Sequence, residues 1–179
     1  MRLSIILLVL LIFSSCIPLR IAPKIKDDKV IVAKKFKKNL PKDYAFIFKD
    51  PKEADEFYNY INVKHELNDQ NVESNVPVII DNEEFYFSFY ETEIPTKTLN
   101  LVPILIDASL DSKDIDPILE DAYASRIGNW YLVLTVTDSK MQDCLEPNHK
   151  SRQKTLKFLR ELKMEYLNTQ NYLEALLKK

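Results

Sequence analysis

The segment 85–93, FYFSFYETE, alternates with a period of two. Phe85, Phe87 and Phe89 fall on one side, and Tyr86, Ser88 and Tyr90 on the other. That is the pleat of a strand with one face in a core. Val76–Ile80 precedes it across a turn at 81–84, so the pair predicts a β-hairpin. Segment 129–138, NWYLVLTVTD, repeats the pattern. Trp130, Leu132, Leu134 and Val136 share one face; Tyr131, Val133, Thr135 and Thr137 share the other. Two further strands are predicted, at 44–49 (YAFIFK) and at 29–35, the latter suited to a sheet edge.

Helical spacing appears between these strands. Asp50-Pro51 supplies an N-cap and a first-turn proline, and Ala54, Phe57, Tyr58, Ile61 and His65 follow as one stripe. His65, at the end of that stripe, is expected to pack rather than ligate. Leu101, Ile104, Leu105 and Ala108 fit either a helix or a buried strand, and Asp116-Pro117 opens a short helix to about Ser125. A long amphipathic helix is predicted over 151–167, with Leu156, Leu159, Leu162 and Tyr166 inward, and a short one over 172–177. Strands and helices thus follow in irregular order with at least one hairpin. The expected fold is a single α+β domain: a mainly antiparallel sheet with helices packed on one face.

The first residues follow a different logic. Arg2 precedes an apolar run from Ile5 to Phe13, then Ser14 and Ser15. A basic start, a short apolar core and small residues have the order of a secretory signal. The run is too short to span a bilayer, which takes about 20 apolar residues. The tetrad Phe13-Ser14-Ser15-Cys16 resembles the lipobox of bacterial lipoproteins, departing from it at Phe13, where an aliphatic residue is usual. The resemblance covers the leader alone. It implies cleavage before Cys16, lipidation of Cys16, and a mature chain beginning there. A plain signal peptide with a chance cysteine is the other reading. The division expected is leader 1–15, anchor with basic tether and first strand 16–42, and globular domain 43–179. No acidic residue directly follows Cys16, and the expected location is the outer membrane, facing the periplasm.

Charge is uneven. Segment 17–42 carries nine basic and two acidic residues, a net +7, whereas 43–179 carries 15 basic and 25 acidic, a net −10. A basic segment beside a lipid anchor suits anionic headgroups, each cation contributing about 1 kcal/mol; a solvated tether is the alternative. The C-terminal 147–179 is again basic, +5, which fits lysines on the outer side of a docked helix. No nucleic-acid-binding motif is present.

Composition restricts the chemistry. The single glycine, Gly128, cannot build a phosphate-cradling loop, a dinucleotide fold or a nucleophile elbow. Turns must use Asn, Asp and Pro instead. Two histidines, His65 and His149, exclude a three-histidine metal site, and no HExxH or paired CxxC occurs. No cofactor or metal is expected. With Cys16 acylated, Cys144 has no disulfide partner; without acylation, a Cys16–Cys144 bridge becomes available. Cys144 and His149 share one loop, but Glu146 between them opposes thiolate formation.

A non-catalytic binding or structural role at the envelope follows. The candidate contact face is Tyr86, Ser88 and Tyr90, with Tyr131 and Thr135 beside them if the strands are neighbours. Two rivals stand against it. A carboxylate-based envelope hydrolase, with glycans as a candidate substrate, requires an acidic pair with raised pKa in a cleft. A small-ligand carrier requires a large apolar cavity.

Overall fold

The computed structural model describes residues 16–53, 55–101, 104–105 and 124–169. In chain order the elements are β1 (Cys16–Arg20), β2 (Lys29–Val32), α1 (Ala33–Phe36), β3 (Tyr44–Asp50), α2 (Glu56–His65), β4 (Val76–Ile80), β5 (Glu83–Glu93), β6 (Thr96–Asn100), β7 (Ala124–Ile127), β8 (Trp130–Asp138) and α3 (Arg152–Asn168). The fold is α+β, with antiparallel pairing throughout. Contacts divide the chain into two units: one of residues 1–24 and 93–129, the other of 25–92 and 130–179.

The larger unit is an open five-stranded sheet in the order β2-β3-β8-β5-β4. Phe85, Phe87 and Phe89 of β5 join Phe46 and Phe48 of β3 and Leu132, Leu134 and Val136 of β8 in one core. Both long helices pack on this face. Helix α2 brings Phe57, Tyr60 and Ile61; α3 brings Leu156, Leu159, Leu162 and Tyr166. The α3 stripe matches the sequence reading. The α2 stripe is rotated: Tyr60 is buried where Tyr58 and His65 were expected, and Ala54 lies outside the described residues. His65 does pack, its ring 5.8 Å from that of Phe87.

The expected cap at Asp50 is corrected. Asp50 ends β3, only 7 % exposed, and accepts hydrogen bonds from the Tyr166 hydroxyl at 3.1 and 3.0 Å. The helix begins six residues later. The buried contact with α3 outweighs the local capping signal.

Turn chemistry follows the scarcity of glycine. Of the nine positive-φ residues described, seven are Asn or Asp. The tightest case joins β4 to β5, where Ile80 pairs with Glu83 and both Asp81 and Asn82 take positive φ, at 50° and 61°. Two left-handed residues in a two-residue loop twist with the strands and so fix hairpin register. At Gly128 a Cβ would lie 2.8 Å from Glu93 Oε1, the far end of a flexible side chain that can turn aside.

The smaller unit holds a three-stranded sheet, β1-β6-β7. Its strands correct two expectations. Residues Cys16–Arg20, read as the start of a tether, form β1, and Ala124 and Ser125, read as the end of a helix, belong to β7. Most of the apolar segment after Asn100, the helix expected from Asp116, and the one over 172–177 lie outside the described residues.

Candidate functional site

The sheet face opposite α2 and α3 carries the predicted contact residues, and β5 and β8 are neighbours as that reading required. The face is nevertheless split. Over β3 and β8 it is sealed: Ala45, Ile47 and Val133 are fully buried. Tyr131 is 1 % exposed and Thr135 8 % exposed. Ala33 and Leu40 are buried with them, and the Phe36 ring meets Tyr131 edge-on at 5.2 Å. Tyr131 and Thr135 are therefore interior residues. A signal for this was present: each strand opens on five consecutive apolar residues, Tyr44–Phe48 in β3 and Trp130–Leu134 in β8, the mark of a strand buried on both faces.

The other half, over β4 and β5, is open. Register sets Pro77 beside Tyr86 and Ile79 beside Glu84. Ile79 is 69 % exposed and Tyr90 36 %. The Ser88 hydroxyl accepts the Asn75 N–H at 2.9 Å, which ties the strand to the loop before β4. A hydrogen bond to Glu84, then burial and the charge of Glu84, push the Tyr86 hydroxyl above its ordinary pKa. Burial and Asp43 do the same for Tyr90. Both stay protonated donors at neutral pH. Sequence reasoning missed Pro77 and Ile79, because their alternation with Val76, Val78 and Ile80 is hidden in an all-apolar strand. Beside them an apolar groove of about 250 Å³ runs between β4 and α3, lined by His65, Pro77, Val78, Ile79 and Phe158.

An acidic pair with raised pKa also exists, at the end of β3. Burial pushes Asp50 up, against the opposing hydrogen bonds from Lys52 N–H and Tyr166. Burial also raises Glu91, helped by the charges of Asp50, Asp55 and Glu73. Both line a small depression with Lys52, Glu53, Trp130 and Tyr131. Its free space is about 10 Å³, room for about one water. Lys52 Nζ is spent on the Tyr166 and Thr169 carbonyls at 2.7 and 2.6 Å, the C-terminal end of α3. A sugar ring does not fit there. The arrangement fastens α3 to β3 and gives a hydrolase no substrate cleft at this pair.

The Cys144–His149 loop is likewise occupied. Cys144 is fully buried and free, its thiol pushed up to about 12 by burial and then by Asp138 and Asp143. His149 Nδ1 accepts the Ser151 N–H at 3.2 Å, and Nε2 lies 3.7 Å from Asp138 Oδ2. A thiolate nucleophile has no support here. Among the described residues no group of three or more His, Cys, Asp or Glu is placed to hold a metal ion. The core aromatics fill one another's space, with Phe57 edge-on to Phe89 at 4.8 Å and to Tyr166 at 4.9 Å.

Comparison with family models, curated proteins and solved structures finds no match to this chain.

Proposed function

We propose that the chain is a lipid-anchored cell-envelope protein, tethered through Cys16 to the periplasmic side of the outer membrane, that binds a partner protein. The contact is the open half-face of Pro77, Ile79, Tyr86, Ser88 and Tyr90. The observation that supports this reading is the asymmetry of one sheet face. Its β3–β8 half is sealed, while its β4–β5 half leaves Ile79 69 % exposed beside tyrosines with protonated hydroxyls. Aromatic rings supply contact area at low entropic cost and their hydroxyls supply direction. The leader and Cys16 support the location by their resemblance to the lipobox.

The test is crosslinking in intact cells that make the Tyr86→Ser, Tyr90→Ser double variant. Partner recovery is expected to fall more than tenfold, the effect of losing two interface anchors. The thermal midpoint should barely move, because substitutions at partly exposed surface positions cost within about 0.5 kcal/mol. Undiminished recovery would place the contact elsewhere.

A further inference from the structure

The segment 29–42, KVIVAKKFKKNLPK, holds six lysines and no acidic residue. It supplies β2 and the cover that closes the β3–β8 half of the sheet face. Its apolar residues turn inward: Ala33 and Leu40 are buried, and the Phe36 ring lies on Tyr131. Its lysines are left outside. Lys29, Lys34, Lys35, Lys38 and Lys42 are exposed, and among the described residues none of these five forms an ion pair. Lys29 pairs with Ile47, one of the covered residues, so it stands on the same face. The cover also borders the open half. Lys37 Nζ donates to Thr92 Oγ1 of β5 at 2.5 Å, and Thr92 is 3 % exposed. Tyr90 stands two residues before Thr92 on that face, about 7 Å along the strand. The cover and the tyrosine row are therefore neighbours within the larger unit. Nearby carboxylates are few or engaged. Asp27 and Asp28 pair with Lys163 and Arg160 of α3, and Glu84 accepts from the Tyr86 hydroxyl. Asp43, exposed directly after Lys42, leaves the balance strongly positive.

We propose that the basic cover and the open half-face form one contact surface, and that the partner protein it fits presents carboxylates to Lys34, Lys35 and Lys38. The inference rests on the partner-binding reading of Tyr86 and Tyr90, and it gives that partner its charge. Clustered ammonium groups without ion pairs repel one another, and a carboxylate-bearing surface relieves that repulsion. Complementary charge also steers the encounter and rejects partners of the same sign. The two halves divide the work. Ile79 and the tyrosines supply the apolar centre of the contact, and the lysines supply its polar rim. A bilayer suits the cover less well. Attachment at a membrane surface takes apolar side chains exposed among the cations, and those of the cover point inward.

The experiment uses envelopes of cells that make the full chain, treated with a water-soluble carbodiimide, which joins lysine amines to carboxylates in contact with them. Peptide mass spectrometry reads both ends of each link. Links from Lys34, Lys35 or Lys38 to Asp or Glu of a second protein are expected. Salt at about 0.5 M should cut their yield at least fivefold, because exposed charges are screened. The Lys34→Glu, Lys35→Glu, Lys38→Glu variant should lower co-purification of that protein from solubilised envelopes at least tenfold, since it sets like charges face to face. Arginine at the same three positions should retain it. The glutamate variant should melt as the wild type does, because all three side chains are exposed. Links confined to carboxylates of the chain itself, no link to any second protein, or undiminished co-purification of the glutamate variant would each overturn the acidic partner. So would flotation of the chain with phosphatidylglycerol vesicles in the absence of protein links, which assigns the cover to lipid. The two readings fail separately. Loss of the partner with Tyr86→Ser, Tyr90→Ser but not with the glutamate variant keeps the tyrosine contact and removes the acidic partner. The reverse result keeps the acidic partner and overturns the tyrosine contact.

Discussion

Replacing Phe57 by alanine removes about 3–5 kcal/mol from the larger unit, the cost of deleting a buried phenylalanine and leaving the hole. Phe57 is fully buried at the centre of the aromatic cluster. It joins the helix layer to the sheet, because its ring meets Phe89 of β5 and Tyr166 of α3 edge-on at 4.8 and 4.9 Å. Edge-to-face pairs add about 0.5–1.5 kcal/mol each beyond area burial, which places the loss towards the upper end. A domain of ordinary stability has only about 5–15 kcal/mol in total. The expected fall in the thermal midpoint is about 10–15 °C, at about 2–4 °C per kcal/mol for a chain of this size. Trp130, the one tryptophan and a member of the same unit, reports the transition by fluorescence. A loss below about 1 kcal/mol would mean that the aromatic cluster does not join the layers.

Lys163→Met is expected to cost about 1–3 kcal/mol: the lysine is buried, but its nearer partner Asp27 is 80 % exposed, and of the two carboxylates only that of Asp28 is buried. Lys163 is 5 % exposed on α3 and forms an ion pair with Asp27 and a second, at 3.7 Å, with Asp28. Arg160 also reaches Asp28, at 3.3 Å, so the loss is partial. Methionine keeps the length and removes the charge. The Asp28 carboxylate is then left with one partner instead of two. Adding Asp28→Asn should recover part of the loss, because a neutral amide needs less compensation. The clamp is acid-sensitive in a defined direction. Its hydrogen bond and charge hold the Asp27 carboxyl below its ordinary 3.8. The stabilisation is present above that value and is lost as pH falls through the lowered one. The gap between wild type and variant should narrow below about pH 4. Hydrogen exchange should locate the damage: faster exchange in β2, next to the released segment, and little change in β4 and β5. Uniform acceleration would show that Lys163 acts on the whole core.

Periodic, locally encoded features were legible in the sequence. The β4–β5 hairpin, the edge position of β2 and the α3 stripe follow from alternation, turn residues and i, i+3 spacing. What failed was set by distant contacts. Asp50 looks like a helix cap until Tyr166, 116 residues later, donates to its carboxylate. Cys16–Arg20 looks like a tether because its partner strand, Thr96–Asn100, lies some 80 residues away and carries a weak pattern of its own. The open side of the sheet was legible where burial is one-sided, at Tyr86, Ser88 and Tyr90. The same signal failed at Tyr131 and Thr135, because Ala33, Phe36 and Leu40 close over that half and hydroxyl-bearing residues do not reveal a cover. The apolar runs of β3 and β8 carried that information.

The most direct test is the intact mass of the chain recovered from its native envelope. A lipid-anchored protein should begin at Cys16 and carry acyl mass on that residue. A product that retains residues 1–15, or ends its processing with an unmodified sulfhydryl at position 16, contradicts the placement on which the proposed role depends.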